Sequence, residues 1–130
     1  MKIKFYSFLL MLTVVFACQG QVGDKAHLLE PSAFEKQITA EKGQLIDVRT
    51  AAEFDQDHIS GAENIDVLQG DFDANIAKLD KDKPVYVYCK SGGRSAKAID
   101  KLKAQGFTNL YELQGGFTAW KAKAGNSKGE

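Results

Sequence analysis

"VYVYCKSGGRSAKAI", Val85 to Ile99, sets four β-branched and aromatic residues directly before a cysteine, two glycines and an arginine, and then a run of helical periodicity. The first part is a strand: alternating Val and Tyr suit a pleated, packed surface, and Pro84 stands at a strand's first position, where proline is tolerated. From Ser95 to Gln105 the pattern is helical, with Ala96, Ile99 and Leu102 on one face, Lys97, Lys101 and Lys103 off it, and Gly106 as the stop. A strand that runs through a glycine-rich loop into a helix is half of a βαβ unit. It leaves Cys89 at the carboxyl end of the strand, where parallel sheets place their sites.

The same alternation continues on both sides. "HLL" from His27 is a short strand candidate, and "EPSAFEKQI" opens a helix with Pro31 near its first position and Ser32 as a cap. "QLIDV", Gln44 to Val48, is a compact apolar strand ending at Asp47 and Arg49. Thr50, with Glu53 three residues on, forms a capping box for the short turn "AAEF". "GAENIDV" is a third strand, "DANIAKLD" a helix with Ile76 and Leu79 on one face, "NLYEL" the last strand and "GGFTAWKAK" the last helix. The order predicts an α/β fold with a mainly parallel central sheet flanked by helices.

At 130 residues with 44% apolar content, the chain accommodates one domain, expected over 27–122. Residues 1–17 have the pattern of a secretory signal: Lys2 and Lys4, then an uncharged run from Phe5 to Ala17 that is too short to span a bilayer comfortably. "VFAC", Val15 to Cys18, resembles the lipobox of bacterial lipoproteins, with Phe16 where the box favours a small residue. This implies a lipid on Cys18, residues 18–26 as its tether, and an extracytoplasmic domain anchored to a bacterial membrane. Ordinary signal cleavage after Ala17, with release into the periplasm, is the alternative. Residues 123–130 are expected to be a flexible tail.

Without Lys2 and Lys4 the chain carries 15 basic against 17 acidic residues, with no basic stripe, which argues against nucleic acid. Two histidines far apart in sequence, with no cysteine or carboxylate cluster at metal spacing, give no metal site. No cofactor is implied. Only Cys18 and Cys89 are cysteines, so a lipidated Cys18 leaves Cys89 an unpaired thiol in a compartment that favours disulfides.

The loop explains such a thiol. A strand end running into a helix N-terminus points successive N–H groups inward with the helix dipole behind them, and Gly92 and Gly93 let the backbone fold closely. Lys90 and Ser91 extend the cradle, Arg94 adds a cation, and Ser95 is placed as an N-cap. A cysteine there has a depressed pKa and acts as a nucleophile without a histidine base. Cysteine phosphatases share this logic with five residues between Cys and Arg. Here four intervene, "KSGG", and the smaller ring of amides suits one terminal sulfur better than a phosphoryl group.

"YCKSGGRS", "LIDVRTAAEFDQDHISGAENI" and "LQGGFTAW" together resemble the single-domain rhodaneses, thiosulfate-type sulfurtransferases, over nearly all of His27 to Lys121. The resemblance implies ping-pong chemistry. Cys89 takes sulfane sulfur from thiosulfate or a persulfide, and a thiol or cyanide accepts it, with the amides of Lys90 to Arg94 holding the persulfide. A redox or sulfur-carrier protein is an implied partner. The resemblance also places Asp47 and Arg49 beside the loop, as a charge network or as loop caps, and makes His58 a turn residue rather than a base. His27 is expected on the surface, and Tyr86, Tyr88 and Trp120 in the packing. A non-catalytic partner-binding module and, less favoured, a phosphatase or arsenate reductase are the alternatives.

Overall fold

The structure, a computed structural model, describes residues 26–126. The expected signal, the lipid-bearing Cys18 and the end of the tail lie outside those residues. Five strands alternate with five helices: β1 (His27–Leu29), α1 (Pro31–Ala40), β2 (Gln44–Asp47), α2 (Ala51–Gln56), β3 (Glu63–Asn64), α3 (Phe72–Ile76), β4 (Val85–Tyr88), α4 (Gly93–Ala104), β5 (Leu110–Leu113) and α5 (Gly116–Asn126). The strands form one parallel sheet in the order β1-β5-β4-β2-β3. Successive strands step outward from β2 to β3 and then back to β4 and β5, so β4 lies between β2 and β5 where the direction of winding changes. Ligands of open α/β sheets bind in the crevice at such a point.

Alternation along β4 divides the core. Val85, Val87 and Cys89 join Phe72 and Ile76 of α3 and Ala98, Ile99 and Leu102 of α4 on one face. Tyr86 and Tyr88 face the other way, with Phe34 of α1, Leu113, and Phe117 and Trp120 of α5. Both faces of β4 are therefore covered, and every residue from Val85 to Tyr88 is buried, as its unbroken apolar and aromatic run requires. Tyr86 satisfies its hydroxyl by donating to the Glu41 carbonyl at 2.6 Å, and the Tyr88 hydroxyl accepts from the Ile59 amide at 3.0 Å.

Several local expectations are corrected. Ser32 does not cap α1: Pro31 takes the first helical position, so the extended Glu30 becomes the cap residue, and no side chain caps the helix. Ser95 does not cap α4, because the helix starts at Gly93 with Gly92 as its cap, and Ser95 is its third residue. The buried side of α4 is Ser95, Ala98, Ile99 and Leu102, whereas Ala96 is exposed. The third strand shrinks to Glu63–Asn64, beyond which single amides of Ile65 and Val67 still reach the carbonyls of Asp47 and Val48. The next helix begins at Phe72 and ends at Ile76, its continuation tightening into three-residue turns through Leu79. Finally, α5 runs past position 122 to Asn126 and is tied to α1 by the ion pair of Lys123 with Glu35.

Candidate active site

Cys89 follows the last residue of β4 and is 1% exposed. The chain turns at Gly92, whose φ of 123° is open to glycine and strained for other residues. That turn brings the Gly92 amide onto the Cys89 Sγ at 3.0 Å and leaves the Ser95 Oγ 3.5 Å from the same sulfur. Burial pushes the thiol up, but the contact with the Ser95 hydroxyl and hydrogen bonds from the amides of Ser95, Gly92 and Ser91 outweigh it and hold it below its ordinary value. The expected loop thus converges on one sulfur. Lys90, Ser91 and Gly93 form its exposed rim.

Arg94 is engaged elsewhere than at the sulfur. Its two terminal nitrogens donate to the Glu53 carboxylate at 2.6 and 3.1 Å. Glu53 also closes the capping box with Thr50, which starts α2 beside the loop. The Arg94 guanidinium, followed by the Thr50 hydroxyl, holds the Glu53 carboxyl down at about 2 against the cost of its partial burial. The cation of the loop and the cap of α2 are thus one device.

Asp47 and Arg49, which are 0% and 4% exposed, make a bidentate pair in which the Arg49 Nη2 lies 2.7 Å from an Asp47 oxygen. The same Nη2 donates to the Asp57 carbonyl at 2.7 Å, and the guanidinium lies 4.4 Å from the centre of the Phe117 ring. Asn64 donates to the carbonyls of both Asp47 and Arg49. The pair therefore clamps the end of β2, the segment after α2 and the start of α5 around the carboxyl edge of the sheet. His58 is exposed, stacks on Phe54 at 3.7 Å and bonds the Phe54 carbonyl through Nδ1. His27 is exposed and stacks on Tyr111.

Three participants have no place at the site in the sequence reading. Gly116, at φ 60°, brings the first turn of α5 so close that an added Cβ would lie 2.5 Å from the Lys90 carbonyl oxygen and 2.6 Å from that of Cys89. This approach lets the Phe117 amide donate to the Cys89 carbonyl at 2.8 Å and the Thr118 amide to the Lys90 carbonyl at 3.0 Å. The paired glycines before a helix were the available signal. Glu53 was visible as a cap but not as the partner of Arg94, and Glu112, which accepts from the Ser95 hydroxyl at 2.7 Å, had no local signature.

A buried thiol ringed by N–H and O–H donors, at the N-terminus of a twelve-residue helix, is equipped to carry negative charge on sulfur. Among the described residues no group of three or more His, Cys, Asp or Glu side chains is placed to hold a metal ion.

Comparisons with known proteins agree with this fold. Residues 30–123 match the family model described as the rhodanese-like domain. The chain is 45% identical over 82 residues to the uncharacterized protein YqhL of Bacillus subtilis, covering 63% of this chain and 64% of that one. It is 40% identical over 90 residues to the thiosulfate sulfurtransferase GlpE of Pseudomonas savastanoi, covering 68% of this chain and 82% of GlpE. Among solved structures, a rhodanese-related protein from Thermoplasma volcanium superposes with a TM-score of 0.66 at 26% identity, over 75% of this chain and 92% of the other.

Proposed function

Because the chain belongs to the rhodanese-like domain family, we propose that it is a sulfurtransferase that carries sulfane sulfur on Cys89. The observation that carries the reading is the Cys89 sulfur itself, at the centre of the loop with the Gly92 amide on it at 3.0 Å. The thiosulfate sulfurtransferase name of a relative of which the chain covers 82% supports the choice of reaction.

In the first half-reaction the Cys89 thiolate attacks the outer sulfur of thiosulfate. A sulfur–sulfur bond forms to Cys89, the bond to the sulfonate sulfur breaks, and sulfite leaves with the electron pair. The persulfide anion on Cys89 takes over the amide donors that held the thiolate. In the second half-reaction an acceptor thiolate, or cyanide, attacks the outer sulfur. The Cys89–sulfur bond breaks and the thiolate is restored. No proton carrier is required while donor, acceptor and Cys89 all react as anions. Lys90 on the exposed rim attracts the dianionic donor, while Arg94, paired to Glu53, mainly shapes the loop.

The leader reading adds a location. Cys18 bears lipid and holds the domain on the outer side of a bacterial membrane, where a thiol or sulfur-carrier protein is the acceptor. Mass of the protein extracted from a bacterial host's membrane should show residues 1–17 removed and acyl chains on Cys18, and an unacylated Cys18 would overturn the anchor.

The activity is tested by intact mass of the full chain after thiosulfate and then after cyanide. A gain of about one sulfur, roughly 32 Da, on the Cys89 peptide, erased by cyanide, is the expected result. A free, alkylatable Cys89 that takes up no sulfur from thiosulfate or from a small-molecule persulfide would overturn the reading and favour a partner-binding module.

A further inference from the structure

Glu112 breaks the pattern of its strand. On the sheet face toward α4, β4 and β5 present Val85, Val87, Cys89 and Leu110, all buried and apolar or thiol, and Glu112 continues that row in register with Val87. Glu112 is half-buried at the end of that row, where it borders an open cleft on one side and a single hydroxyl on the other. Its partner is Ser95, whose Oγ lies 2.7 Å from the Glu112 Oε1, 3.0 Å from the Gly92 carbonyl and 3.5 Å from the Cys89 Sγ.

A serine hydroxyl has one hydrogen to give. Three acceptors surround it here, and the carboxylate offers the shortest bond, charge-assisted and about twice as strong as a neutral one. With its hydrogen on Glu112, Ser95 turns a lone pair to the sulfur. In that orientation it accepts from the Cys89 thiol, and the support its hydrogen lends the thiolate is drawn off. The carboxylate is also a like charge one hydroxyl away from the sulfur, which disfavours the anion further.

We propose that Glu112 is a positioning residue that restrains Cys89 by competing with its sulfur for the single hydrogen of the Ser95 hydroxyl. The amides of the loop and the Ser95 hydrogen favour the thiolate, and Glu112 draws that hydrogen away. The proposal rests on Cys89 being the reactive thiol of the sulfurtransferase reading and gives it a brake. The thiolate is the form that oxidants attack, so a smaller resting thiolate fraction leaves Cys89 less open to oxidation. The groups facing Glu112 are few. Asp100 and Lys103 of α4 border the same cleft together with Ala26, Ala96 and Ile99, the Arg94 cation is paired to Glu53, and His27 of β1 is turned to the other face of the sheet against Tyr111.

The test is the pH dependence of iodoacetamide alkylation of the full chain, read on the Cys89 peptide, with no sulfur donor present. Glu112→Gln keeps an oxygen for Ser95 but removes the charge, and is expected to alkylate about tenfold faster at pH 7, as a shift of about one unit in the thiol's titration gives. Glu112→Asp keeps the charge with a shorter reach and should fall between. In a Ser95→Ala background most of the gain from Glu112→Gln should disappear, because the hydroxyl that transmits it is gone. An unchanged rate in Glu112→Gln overturns the proposal, and so does a slower one, which would make Glu112 a base. An equal gain with and without Ser95 overturns it too, by showing a charge acting through space. Since alkylation reads the thiol and sulfur uptake reads the transfer, failure of the brake and failure of the sulfurtransferase reading are separate results.

Discussion

At the scale of single residues, chemistry converges on one sulfur and on the carboxylates around it. Cys89→Ser should abolish sulfur uptake and turnover while the thermal midpoint changes little, since a hydroxyl fits the same donors. Full residual turnover in that variant would remove Cys89 from the mechanism. Glu53 provides the pH prediction. Its carboxyl is lowered from 4.5 to about 2 in the folded chain, so its pairing stabilises the fold above the unfolded value and that contribution is lost as pH falls through the folded one. Glu53→Gln should therefore be less stable than the parent at pH 7, and the difference should shrink between about pH 4.5 and pH 2 in urea titrations. The sulfur and its loop were legible in the sequence because the chemistry there is contiguous from Cys89 to Ser95. The partners were not: Glu53 and Glu112 lie 41 and 17 positions from the residues they hold, and no periodicity links them.

Between elements, the contact of α5 with the loop decides the site. Gly116→Ala would force a Cβ within 2.6 Å of two carbonyl oxygens at a positive φ. The expected cost is about 1–3 kcal/mol, the scale of local backbone strain, with turnover falling further than stability because the loop itself must move. Equal turnover in the two proteins, at matched folded fractions, would show that the loop does not need this buttress. Thr50→Ala removes the capping-box hydroxyl from α2 and should cost about 1 kcal/mol in chemical denaturation. Element types and order followed from hydrophobic period, proline and the capping box. Boundaries shifted where a backbone requirement overrode side-chain propensity. Gly92 started α4 before Ser95 could cap it, and Pro31 made Glu30 rather than Ser32 the residue before the first helix.

Across the whole molecule, the buried Asp47–Arg49 pair spans three segments. Asp47→Ala would leave the Arg49 guanidinium buried at 4% exposure without its counter-charge, a loss of about 3–5 kcal/mol by the usual cost of orphaning a buried ion. A loss under 1 kcal/mol in urea titration would show that Arg49 swings out to water. The parallel sheet was legible from the alternation of strands and helices, but this clamp was not, because its acceptors include the Asp57 carbonyl, which any residue could supply. The place of Cys89 on the central strand has one more consequence. Trp120, the one tryptophan of the chain, packs by Phe34 on the opposite side of the sheet from Cys89. Its fluorescence and the reactivity of the thiol therefore report from two half-cores joined through the same four residues of β4, and in a denaturant series the two curves should superimpose. The nucleophile would then double as a gauge of cooperativity, switching off when the whole domain melts and not before.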